Sequence, residues 1–80
     1  MTSTVIIATL DFSDALRAVK AGQQIARAGW NGKGMHVRLM EVDGVLPFLA
    51  MRTVQGDMVP WLASQTDILA ADWQVVRVSE

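Results

Sequence analysis

The stretch Met35 to Leu62, MHVRLMEVDGVLPFLAMRTVQGDMVPWL, decides how this chain folds. Met35, Val37 and Leu39 alternate with His36, Arg38 and Met40, the two-residue period of a half-buried strand. Asp43-Gly44 is a turn signal within a loop that runs on to Pro47, and Phe48 to Val54 reads as a second strand. Gln55-Gly56-Asp57 turns the chain into a third, Met58 to Leu62. Loops this short join neighbours that run in opposite directions, so the three strands form an antiparallel meander.

Working outward toward the N-terminus, Gly29-Trp30-Asn31-Gly32-Lys33-Gly34 carries too many glycines to be anything but a loop. Gln23 to Ala28 reads as a strand centred on Ile25. Before it, Phe12, Ala15, Leu16 and Val19 follow the i, i+3, i+4, i+7 spacing of a helix with one face on a core. Asp11 is placed to cap that helix, Asp14 sits in its first turn, Lys20 in its last, and Gly22 stops it. Thr4 to Leu10, TVIIATL, is β-branched and apolar and reads as a strand or an extended arm. Toward the C-terminus, Ser64-Gln65-Thr66-Asp67 has the layout of a capping box with Asp in place of Glu, which predicts a short helix over residues 65–71. Trp73 to Val78 closes the chain as a last strand. The expected class is α+β: a mainly antiparallel sheet with one N-terminal amphipathic helix and one short C-terminal helix. The 80 residues are expected to form a single ligand-binding domain, with 1–11 as an arm or strand and 12–78 as its body.

A chain this short buries only about 60% of its unfolded surface, so its stability margin as a monomer is thin. With no cysteine, it has neither disulfides nor thiolate metal sites, and with His36 alone it has no histidine-rich metal site. Oligomerisation is the stabilising device left, and a hydrophobic fraction of 51% suits it. Seven basic and eight acidic residues are scattered along the chain, for a net charge of −1. No basic stripe is present, which argues against long nucleic acid as a partner. The apolar run Val5 to Ala8 is far too short for a secretory segment or a membrane span, so a cytosolic protein is expected.

Catalytic machinery is hard to assemble from these residues. A nucleophile–base pair would have to join His36 to Ser3, Ser13, Ser64 or a threonine, yet His36 falls mid-strand, where it reads as a solvent-facing residue. Asp67 has a capping role, and Asp72 precedes a strand at a turn. Gly32-Lys33-Gly34 has neither the spacing nor the following helix of a phosphate-binding loop. A non-enzymatic protein with no cofactor is expected.

The three tryptophans, with no tyrosine beside them, say more. Trp73 leads an apolar strand and is expected to be a core anchor. Trp30 and Trp61 lie next to small and polar residues, where packing and ligand contact are both open. An aromatic face flanked by short polar side chains suits a nucleobase, and stacking on one ring contributes about 1–3 kcal/mol. Asn31, Ser64, Gln65 and Thr66 can offer donors and acceptors to base edges or ribose hydroxyls, while Lys33, Arg27 or Arg52 can meet phosphates.

These residues resemble a known family. Phe12-Ser-Asp-Ala-Leu, Gly22 and Arg27-Ala-Gly-Trp-Asn-Gly-Lys-Gly-Met35 are similar to the opening of the small second class of Thoeris anti-defence sponge proteins of phages and prophages. Pro47-Phe-Leu-Ala-Met51, Val59-Pro-Trp-Leu-Ala-Ser-Gln-Thr-Asp67 and Ala71-Asp-Trp73 look like the same family's second signature. The resemblance covers Phe12 to about Val76, and the two blocks are specific together rather than singly. It implies capture, without degradation, of a cyclic ADP-ribose-type signalling nucleotide made by a bacterial immune enzyme, so that the downstream effector stays off. It further implies homo-oligomers, typically tetramers, with pockets between protomers; some members also bind cyclic dinucleotides at a separate site. Carried onto this chain, it makes Trp30 or Trp61 the adenine platform, Asn31 with Ser64, Gln65, Thr66 and Asp67 the polar readers, and Arg27 and Lys33 the phosphate partners. The lead-in Val5 to Leu10 and the short loop 41–47 depart from the family pattern, which bears on subunit arrangement and pocket access. The alternative is a structural or adaptor protein of a phage or prophage that works through oligomer contacts alone.

Overall fold

A computed structural model describes residues 3–30 and 34–79. The elements run β1 (Ser3–Leu10), α1 (Phe12–Lys20), β2 (Gln24–Arg27), β3 (His36–Met40), β4 (Phe48–Arg52), β5 (Met58–Pro60), α2 (Gln65–Leu69) and β6 (Trp73–Ser79). Helix α1 starts where its cap lies: the Asp11 carboxylate accepts the Asp14 N–H at 2.9 Å. It ends at Ala21, and Gly22 follows with φ +96°, a conformation that costs glycine little.

The six strands form one antiparallel sheet in the order β1-β6-β2-β3-β4-β5. The meander β3-β4-β5 is as the sequence predicts, and β6 enters between β1 and β2. The N-terminal segment, read as strand or arm, is a strand paired with β6 from Ser3↔Ser79 to Leu10↔Trp73, with an irregularity between Ile7 and Leu10. The predicted third strand stops at Pro60, which has no N–H to donate, but the Trp61 N–H still bonds the Leu49 carbonyl at 2.9 Å and keeps the ladder's direction. Helix α2 stops at Leu69 instead of running to Ala71, because Ala70 has turned extended (ψ 149°) to lead into β6.

Register decides what each face carries, since residues opposite each other project the same way. Ile25 is opposite both Val37 and Val75, and Val37 is opposite Met51. These side chains meet Ala15 and Val19 of α1 in a core built around Trp73, which is fully buried. The other face carries the rows His36–Arg52–Met58, Arg38–Ala50–Pro60 and Met40–Phe48, and no helix among the described residues packs over it. His36 thus lies on the face turned away from the helices, half-buried, its Nδ1 2.9 Å from the Gly34 carbonyl. Burial, with Arg38 and Arg52 as like charges, holds its imidazole below the usual range against the opposing pull of that carbonyl.

Candidate functional site

The two sequence blocks that carry tryptophans meet at one corner of the covered face. Trp30 follows β2 through a turn in which its N–H bonds the Arg27 carbonyl at 3.2 Å. Trp61 is set by the continued β4-β5 ladder, and Trp73 opens β6. The three rings form a closed triangle: centroids are 5.4 Å apart for Trp30 and Trp73, 6.0 Å for Trp61 and Trp73, and 6.5 Å for Trp30 and Trp61. Every pair meets edge to face, at 70° to 80°, and Phe12 of α1 leans on Trp73 from 5.5 Å. Trp73 is the core anchor expected of it, and its indole Nε1–H donates to the Asp67 carbonyl at 2.9 Å. Trp30 and Trp61 remain half-buried and pack against that core.

This geometry limits what the corner can hold. With planes 70° apart, Trp30 and Trp61 cannot sandwich a flat ring between parallel faces. A base stacked on one of them meets the other's edge, so one tryptophan is a platform and the other a wall.

Beside the rings, α2 begins at Ser64 with a full capping box. The Ser64 hydroxyl accepts the Asp67 N–H at 3.1 Å, and Asp67 Oδ2 accepts the Ser64 N–H at 3.1 Å. Ser64, Gln65 and Thr66 are exposed. Asp67 turns inward, where its other carboxylate oxygen takes Arg27 Nη1 at 3.0 Å. Arg27 Nε donates to Asp72 Oδ1 at 2.9 Å, and Asp72 Oδ2 takes the Gly29 N–H at 3.3 Å. The side chains of Arg27, Asp67 and Asp72 are 19%, 14% and 35% exposed, so solvent screens these ion pairs only in part. Burial works to raise the Asp67 carboxyl, but the Ser64 N–H and the Arg27 guanidinium together hold it below its ordinary value. The bond from Arg27 holds Asp72 down in the same way, with its own partial burial opposing. Arg27, bonded first to Asp72 and then to Asp67, keeps its proton more firmly than a free arginine.

Of the residues predicted to form a site, Trp30 meets Trp61, and Arg27 and Ser64 both bond Asp67; Gln65 and Thr66 follow Ser64 in the first turn of α2, while Asn31 and Lys33 lie outside the described residues. Arg27, expected to meet phosphate, has two of its nitrogens on carboxylates. Arg52 stands on the opposite face of the sheet. Asp72 and Phe12 were not expected as parts of the corner. A hint of Asp72's part lay in its place just before Trp73; its partner 45 positions away left none. Among the described residues no group of three or more histidine or acidic side chains is placed to hold a metal ion.

Thoeris anti-defense 2 of Bacillus phage SP01 is 31% identical over 84 residues, spanning 84% of this chain and 94% of that protein. Residues 10–76, which hold every part of the corner, match the Tad2-like family, described as the Thoeris anti-defense 2-like domain. Neither description names a reaction. By both the extent of that match and the identity to the phage relative, the chain belongs to the Thoeris anti-defence 2-like family, and its role is phage anti-defence.

Proposed function

We propose that the protein sequesters a cyclic ADP-ribose-type signalling nucleotide, binding it without chemical change so that the Thoeris effector is not activated. The observation that carries this reading is the tryptophan corner: two half-buried indoles braced on a third, beside the exposed hydroxyl and amide groups of Ser64, Gln65 and Thr66. A base on one indole, with ribose hydroxyls or base edges against these polar groups and Asn31, matches the ligand chemistry that the family's role suggests. Phosphates would turn toward Lys33.

A sponge has to outcompete an effector, which calls for a nanomolar dissociation constant, or roughly 12 kcal/mol. A half-open corner on one small chain offers too little burial for that. The site is therefore completed by a second copy, in a homo-oligomer for which a tetramer is the working arrangement. Leu62, 91% exposed, and Leu69, 79% exposed, stand at the two ends of the segment that carries Ser64 and supply apolar surface for such a contact. A cyclic dinucleotide is the second ligand class to try.

The test is thermal shift of the purified protein with cyclic ADP-ribose isomers and with cyclic dinucleotides, repeated on Trp30→Ala and Trp61→Ala. Free ligand at a hundred times its dissociation constant stabilises the fold by about 2.7 kcal/mol. A shift with one class, lost in a variant whose circular dichroism stays native, supports the reading, and mass spectrometry should recover that ligand intact. Absence of any shift favours a structural adaptor working through its exposed leucines, and recovery of cleaved ligand would show an enzyme.

A further inference from the structure

We propose that Arg27 positions the ligand site instead of contacting the ligand's phosphates, and that the corner it occupies receives a hydrogen-bond donor edge, not an anion. This rests on the binding function proposed above and refines how the ligand lies.

The connections made by one guanidinium carry the argument. Through Nε it holds Asp72, whose other oxygen takes the Gly29 N–H and whose carbonyl takes the Ala28 N–H at 3.0 Å. That fixes the start of the glycine loop and, one residue on, Trp30. Through Nη1 it holds Asp67, whose second oxygen closes the capping box of α2 and whose carbonyl takes the Trp73 indole. The two halves of the site, distant in sequence, are joined through the planar fork of Arg27. A lysine ammonium has one nitrogen on a flexible stem and cannot hold two carboxylates in this geometry.

The charges point the same way. One cation between two carboxylates leaves the cluster negative, so a phosphate brought to it meets net repulsion in a partly buried setting, where screening is weak. Asp72 is the more exposed carboxylate and presents acceptor oxygens to the outside. A ribose hydroxyl or an exocyclic amine fits against it, and a phosphate does not.

The two roles predict opposite outcomes for Asp72→Asn. If Arg27 met phosphate, removing a competing carboxylate would tighten binding or leave it unchanged. If Arg27 positions the site, Asp72→Asn and Arg27→Lys should each weaken cyclic ADP-ribose binding by roughly tenfold in calorimetry. Tighter or unchanged binding by Asp72→Asn, or unchanged binding by Arg27→Lys, overturns the proposal. A readout without ligand separates this from the binding function. Hydrogen exchange at the Trp30 and Ile68 amides, which bond the Arg27 and Ser64 carbonyls, should accelerate in both variants while the Val37 amide keeps its rate. If cyclic ADP-ribose fails to bind the unmodified protein, that ligand assignment falls and exchange alone decides; unchanged exchange at Trp30 and Ile68 overturns the positioning role.

Discussion

Arg27 is where a single side chain matters most. Removing it leaves two carboxylates facing each other with no cation, and Asp67 is too buried for water to take over. Breaking a partly buried pair from one side costs about 2–4 kcal/mol. Arg27→Ala should therefore lower the urea midpoint by a large part of what a chain this size has to lose. The same cluster sets an acid limit. Asp67 and Asp72 ionise more readily folded than unfolded, so their contribution is complete above the unfolded carboxylate value, about 3.9. It disappears as pH falls through their lower folded values. His36 works in a separate window. Its folded pKa is also depressed, so its neutral form is favoured by folding, and stability falls as pH drops below about 6.5 toward the folded value. Chemical denaturation from pH 8 to 3 should show two declines, the upper one absent in His36→Gln and the lower one reduced in Asp72→Asn.

At the scale of elements, α2 is the test of how local and distant interactions share the work. Five residues are too few to form a helix unaided, so α2 exists through its capping box and its bonds to Arg27 and Trp73. Ser64→Ala removes the cap and should cost about 1 kcal/mol. Trp73→Phe keeps an aromatic ring but removes the indole's bond to the Asp67 carbonyl, which is left with the long 3.4 Å bond from the Ala70 N–H, at about 0.5–1.5 kcal/mol. If the two act through one helix, their effects on melting temperature will fall short of additive when combined. The capping box was readable from Ser64 and Asp67 because its bonds span three residues. So were α1, from Asp11 and its apolar spacing, and the meander, whose turn residues lie between its strands. Thr4 to Leu10 was ambiguous for the opposite reason: its partner is at the far end of the chain, and an apolar run does not reveal what it pairs with. The tryptophans were recognisable as unusual, but their closing into a triangle depends on a register that brings Arg27 opposite Trp73. Arg27 looked like a phosphate ligand because its two carboxylates are 40 and 45 positions away.

At the scale of the whole molecule, the sheet has two edges, and they are managed differently. The β5 edge is three residues long and ends at Pro60, which makes it a poor template for another strand. On the other side the edge strand is β1, which pairs with the seven-residue β6 and lies outside the family match apart from Leu10. Leu62→Glu should weaken self-association in light scattering without unfolding the protomer, because the side chain is nearly fully exposed and adds little to the core. Removing residues 2–9 should act on stability instead. That deletion keeps the Asp11 cap and α1 but strips β6 of its partner, leaving a row of unpaired N–H and C=O groups. The expected result is a lower melting temperature, as β6 loses its ladder to β1. The deleted segment holds none of the residues named for the tryptophan corner, so the truncated protein should still show the thermal shift of the full chain. A truncated protein with unchanged melting temperature would mean that β6 is held without β1, and the extra strand would then add nothing to the stability of the sheet.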